Sequence, residues 1–532
     1  MLSATPGLVF GRMFPSVDQR RLTPTQPYPR EEEMKRISVP LTAAVVLLAA
    51  TLAPVVSLAG PAEADAVPPD RITWNKCPAE ISPVPIPEEM QCGTLKVPLD
   101  YSDPDGKTID IAVSRLASAK PGKRRGILVT NPGGPSAGEG YPAMLVAMGL
   151  PQSVRDSYDV VGFDPRGIGR STPVTCDLTA DQLGTGSIPP YPLDAADVTA
   201  HADVSKQIAE QCATSTTSWM LPHVSPANTA RDMDRIRAAL GEPKLSYAGA
   251  SWGTHLGAVY TTLFPQRSDR IVLDSNLGPG GWDYAGNRLW SQGVEDTFPA
   301  FAKFAAANHR EYGLGKTPAQ VQAKYFELAE RLEKKPIPTP DGPFDHVAFR
   351  LVNFGLLYGP TQLPLLADIW QAVDANQPPP PLPGGDAATD VDNLISGRYY
   401  MICNDARWPS SVTTYQRNVA VDRVRYPLFG AAGANVTPCA YWPDPVEPPV
   451  RITDRGPANV LMVQNLRDPA TPLAGAQEMR TALGKRATMV TADQSGHGVY
   501  PAGRNRCANH AVTTYLTTGE RPSRDYHCSA DH

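Results

Sequence analysis

The chain has 532 residues, 49 Lys plus Arg against 54 Asp plus Glu for a formal net charge of -5, and a composition that is 42% hydrophobic and 19% charged. That length suits one large or two ordinary globular domains, and 56 Pro with 43 Gly mark a loop-rich fold, short of the proportion typical of disorder. The mild acidity and the lack of a Lys/Arg run argue against nucleic-acid binding, and the lack of a Gly triplet period, sustained heptads and repeated long apolar spans excludes collagen, coiled-coil and multi-span membrane architectures.

In chain order, the first feature is Met34-Lys35-Arg36, followed by an apolar run from Val39 to Leu58 and then Ala64-Asp65-Ala66. A charged head, an apolar middle and a small-residue exit describe a secretory signal cleaved near Ala66, with Ala59 as a second exit. The rival reading is a membrane anchor. Against it, Pro40 and Pro54 interrupt the run and no positive stop-transfer cluster follows. Arg20, Arg21 and Glu31 to Glu33 lie ahead of the signal, which points to Met34 as the true start. Residues 1–66 are therefore expected to be an N-terminal extension and signal peptide, and 67–89 a Pro-rich lead-in to a secreted monomer with no stable membrane association. The eight cysteines, at 77, 92, 176, 212, 403, 439, 507 and 528, fall into four local couples. Short loops close at the least entropic cost, so in an oxidising compartment sequential pairing is expected, with buried free thiols as the alternative.

Leu95–Leu99 and Ile109–Leu116 are predicted as neighbouring strands turned by Asp103-Pro104-Asp105-Gly106. The continuous apolar runs 126–130 and 158–163 suit strands buried on both faces of a parallel sheet. Residues 225–240 have helical spacing, 244–248 read as a strand leading through a Gly-rich turn into a helix ending near Phe264, and 270–274 as a further strand. Residues 278–452 lose the strand rhythm and turn helical, at 321–334 and 349–356 among others, before strands return at 459–463 and 488–491. The prediction is an α/β fold with a mostly parallel sheet and helices on both faces, its core formed by 90–277 and 453–532 and interrupted by a helical cap insertion, 278–452.

Gly249-Ala250-Ser251-Trp252-Gly253 falls between a predicted strand and a predicted helix, the context a nucleophile elbow requires. Such a turn brings backbones so close that flanking side chains would clash, and it exposes the serine hydroxyl. A serine needs a histidine base and an orienting carboxylate, in the chain order Ser, acid, His. Asp468 follows the strand at 459–463, and His497 sits in the loop after the last predicted strand. Asp493 is a competing carboxylate. An oxyanion needs two N–H donors. One is assigned to Trp252, next to the nucleophile, and the other to Gly134 in Asn131-Pro132-Gly133-Gly134-Pro135, preferred over Gly133.

Together GASWG, NPGGP, residues 159–171 (DVVGFDPRGIGRS), DPATP and SGHG resemble the secreted tripeptidyl aminopeptidases of bacteria, relatives of prolyl aminopeptidases in the α/β-hydrolase superfamily. The resemblance covers nearly all of the chain after the signal. It implies a serine exopeptidase that removes short peptides, often tripeptides, from free N-termini, with no metal and no cofactor. Asn131 and Pro132 precede the glycines where prolyl aminopeptidases carry His, and Ser136 stands where Gly is commoner. An aminopeptidase must also hold an ammonium group, for which Asp283, Glu295, Asp296 and Asp405 are candidates by sign and location. The rival readings are an esterase or lipase of the same fold and a non-catalytic peptide-binding protein.

Overall fold

The computed structural model describes residues 71–185, 187–340, 342–382 and 390–531, so the expected signal and its cleavage site lie outside the described residues. The strands are β1 Asn75–Lys76, β2 Met90–Pro98, β3 Thr108–Leu116, β4 Ile127–Asn131, β5 Asp159–Phe163, β6 Leu245–Ala250, β7 Ser268–Asp274, β8 Ile337–Thr339, β9 Gly342–Phe344, β10 Val460–Arg467, β11 Ala487–Ser495 and β12 Tyr526–Cys528. Ten of them form one sheet in the order β1-β2-β3-β5-β4-β6-β7-β10-β11-β12, with β8 and β9 as a separate hairpin. Pairing is antiparallel from β1 through β3 to β5 and parallel from β5 to β12.

Every residue of β4 and β5 is buried, as their unbroken apolar runs require. Successive side chains go to opposite faces. Val129, Val161, Ile271 and Met462 pack with Met233, Ile236, Leu256 and Met479 of the helices Pro226–Ala239, Trp252–Leu263 and Leu473–Leu483. Their neighbours Leu128, Val160, Val272 and Leu461 pack on the other face with Val154, Val512 and Leu516 of the helices Gln152–Ser157 and Arg506–Thr518. This is an α/β-hydrolase fold.

Between β7 and β10 stand the helices Tyr284–Ala307, Pro318–Lys334, His346–Leu356, Leu363–Asp374, Val391–Cys403 and Val412–Arg425, around a second apolar core that includes Phe301, Tyr325, Phe349 and Trp370. Besides the short β12 at the sheet edge, three features differ from the sequence reading. The insertion carries the short β8–β9 hairpin, and the lead-in contributes β1 to the sheet edge. The helix Ala195–Thr214, between β5 and β6, sends Val198 and Ala202 into the second core, so the cap draws on two stretches of chain. All four disulfides join cysteines adjacent in sequence order, Cys77–Cys92, Cys176–Cys212, Cys403–Cys439 and Cys507–Cys528.

Candidate active site

Ser251 stands between the end of β6 and the helix Trp252–Leu263 with φ 56° and ψ −125°, a conformation that strains a non-glycine residue by about 1–3 kcal/mol. Its backbone is held by donation from Ser251 N to Asp274 O, 2.9 Å away on the neighbouring β7. The flanking glycines are required by space. A Cβ on Gly249 would lie 2.5 Å from the Tyr247 hydroxyl and 2.6 Å from Gly253 O, and one on Gly253 would lie 2.8 Å from Asn131 Oδ1.

β10 carries the chain to Asp468, whose side chain is fully buried. Asp468 Oδ1 accepts from Ala470 N and Thr471 N, both at 2.9 Å, and Oδ2 accepts from Thr471 Oγ1 at 3.0 Å. His497 follows β11 between Gly496 and Gly498, which have φ of 110° and 94°. Its Nδ1 lies 3.0 Å from each Asp468 oxygen, and its backbone N donates to Tyr358 O of the cap at 2.6 Å. Asp493 instead pairs with Arg467 at 2.7 Å. The structure therefore brings Asp468, not Asp493, to the histidine.

A second carboxylate supports the histidine loop. Asp274, at the end of β7, accepts from Val499 N and Tyr500 N, while Gly498 N donates to the neighbouring Ser275 Oγ. Burial pushes Asp274 up to about 6. For His497, burial acts to lower the pKa, but the charge of Asp468, the hydrogen bond to it and the charge of Asp274 outweigh that effect and hold it above its ordinary 6.5.

The loop after β4 packs against the elbow, and a Cβ on Gly133 would lie 2.5 Å from Ala250 O and 2.7 Å from Ser251 Cβ. Gly133 N is occupied in a 2.9 Å bond to Asn131 Oδ1, which favours Gly134 as the donor. Gly134 and Trp252 line, with Ser251 and His497, one cavity of about 260 Å³. Trp252 opens its helix, where unpaired N–H groups and the helix dipole favour negative charge.

The cap supplies an aromatic wall that the sequence reading missed. Trp282 and Trp290 meet edge to face with centroids 4.9 Å apart, followed by Phe354 and then Tyr358, whose ring lies 4.9 Å from that of His497. Arg398 of the helix Val391–Cys403 also lines the cavity. None of the four proposed ammonium-binding carboxylates lines it. Asp283 caps a helix by accepting from Gly286 N, Glu295 accepts from Leu428 N, and Asp405 lies 2.8 Å from Nε2 of the buried His255. These cap residues carry no local motif. Only tertiary packing gathers them.

The fold and the enclosed site define a serine hydrolase of the α/β-hydrolase class. The family model described as "TAP-like protein" matches residues 426–528. The chain is 35% identical over 477 residues to the tripeptidyl aminopeptidase of Streptomyces lividans, covering 86% of each chain. It is 30% identical to serine protease Hip1 of Mycobacterium tuberculosis over 86% of this chain and 91% of that one. A third relative, 29% identical over 86% and 90%, is carboxylesterase B of the same organism. The chain belongs to the tripeptidyl aminopeptidase family of α/β hydrolases, and it is a serine peptidase.

Proposed function

We propose that the protein is a secreted serine exopeptidase that releases tripeptides or other short peptides from free N-termini through an acyl-enzyme. Ser251 Oγ attacks the scissile carbonyl while His497 Nε2 takes its proton, and Asp468 holds the imidazole with Nδ1 protonated. The amides of Gly134 and Trp252 receive the developing oxyanion. Collapse of the tetrahedral adduct breaks the C–N bond, and His497 returns the proton to the departing amine. Water, deprotonated by the same histidine, then hydrolyses the ester. The support for this reading is one juxtaposition: a strained serine and a histidine paired to a buried aspartate, lining a single cavity. Cap residues close one side of that cavity, which would exclude long chains and favour action at an end. Export rests on the four disulfides and on the predicted signal.

The deciding experiment compares Ala-Pro-Ala-anilide, its N-acetylated form, Ala- and Pro-anilides and a short acyl ester. Turnover of the free tripeptide alone, abolished by Ser251→Ala, is expected. Equal cleavage of the acetylated form would overturn the exopeptidase reading. The second reading, an esterase, draws on the identity to a carboxylesterase and on the aromatic wall. Turnover of the ester alone would establish it, and no turnover of any substrate would favour a binding protein.

A further inference from the structure

Arg398 brings a cation into a cavity that holds no carboxylate. Among the described residues lining that cavity, the other titratable side chains are Tyr358 and His497. Arg398 Nε donates to Pro135 O at 3.2 Å, beside the oxyanion loop, and Nη1 donates to Ser187 Oγ at 3.0 Å. Nη2 has no acceptor among the described residues. Burial depresses the Arg398 pKa, and the groups that act on it electrostatically are the phenols of Tyr358 and Tyr399, which are neutral near pH 7 because burial raises both well above the ordinary tyrosine value. A partly desolvated guanidinium with neutral partners and free donors is costly to hold unless an anion arrives to pair with it. Its planar fork suits a carboxylate.

We propose that Arg398 is a specificity-determining residue that binds a carboxylate of the substrate, a reading that rests on Ser251 being the nucleophile of a peptidase. The carboxylate has two sources, an acidic side chain within the released peptide or the terminal α-carboxylate of a short substrate. Either way the cation repels a free ammonium from its own end of the cavity, so the substrate's N-terminus points away from Arg398.

The test uses free-amine tripeptidyl anilides with Glu or its isostere Gln at each of the three positions, and a tetrapeptide with a free or amidated C-terminus. Wild type is expected to favour Glu over Gln at one position, or the free acid over the amide, by about tenfold or more in kcat/KM. Arg398→Gln should bring that ratio to about one, with Arg398→Lys retaining part of it and thermal melts checking that both variants fold. The same pairs are titrated into Ser251→Ala and Ser251→Ala/Arg398→Gln by following the fluorescence of the cavity tryptophans. A preference in binding by a protein that turns over none of the anilides would keep Arg398 as the anion anchor while removing the exopeptidase reading. Equal handling of every pair by wild type would overturn the proposal. So would an equal fall for both members of a pair in Arg398→Gln, which would make Arg398 a support for the oxyanion loop through Pro135.

Discussion

In the proposed mechanism, Asp468 and His497 set the pH at which the site works. His497 must be neutral to accept the serine proton, and its pKa lies above 6.5 because Asp468 and Asp274 outweigh burial. The acidic limb of kcat/KM should therefore lie above 6.5, with activity rising as pH rises through it. In Asp468→Asn two of the raising influences, charge and charge-assisted hydrogen bond, are gone and burial remains. The limb should move to lower pH while kcat falls by about 10³–10⁴, because the amide no longer selects the productive tautomer. A pH–rate profile of the two proteins measures this. An unmoved limb would show that another group controls the profile, and Asp274, already pushed up to about 6, is the one to replace next.

The cap helix Tyr284–Ala307 and the loop carrying Asp468 approach closely enough to have a measurable consequence. A Cβ on Gly293 would lie 2.4 Å from Pro469 O and 2.7 Å from Asp468 O, so only glycine lets the helix rest on that backbone. Gly293→Ala should cost about 1–3 kcal/mol of stability through overpacking. It should also lower kcat/KM by about tenfold as the acid loop shifts. Thermal melts and steady-state kinetics measure the two effects, and a variant with unchanged values would show that the helix yields freely. This contact was invisible in the sequence, where Gly293 is an ordinary residue of a helical stretch. The elbow was legible because Gly249, Ser251 and Gly253 obey a local steric rule that leaves a local pattern, and β4 and β5 because burial on both faces demands unbroken apolar runs. Asp468 was legible as well, because it follows β10 in the chain order that the triad requires, whereas the aromatic wall and Arg398 depend on how cap and sheet meet. No spacing rule encodes that meeting. The short β12 escaped for a related reason, since its three residues are tied in by Cys507–Cys528 and pairing to β11 more than by any apolar pattern of their own.

At the scale of the whole molecule, the disulfides tie the chain at four separate places. Cys77–Cys92 fastens the edge of the sheet, Cys176–Cys212 tethers the helix Ala195–Thr214 to the segment following β5, Cys403–Cys439 fixes the end of the helix bearing Arg398, and Cys507–Cys528 holds β12. Their sequence separations of 15, 36, 36 and 21 correspond to roughly 3–4 kcal/mol each in the chain-entropy estimate. Even with partial additivity this rivals the roughly 5–15 kcal/mol by which folded proteins exceed their unfolded chains. A reducing compartment would therefore remove most of the margin, while an oxidising one preserves it. Incubation with excess dithiothreitol until thiol titration finds all eight cysteines free should lower the thermal midpoint by more than about 10 °C and abolish turnover. Cys403→Ser/Cys439→Ser alone should produce a smaller fall and weaken whatever preference Arg398 confers, because the helix end is then loose. A reduced protein that melts at its original midpoint would show that packing of the two apolar cores suffices, and would remove the argument that this chain is built for export.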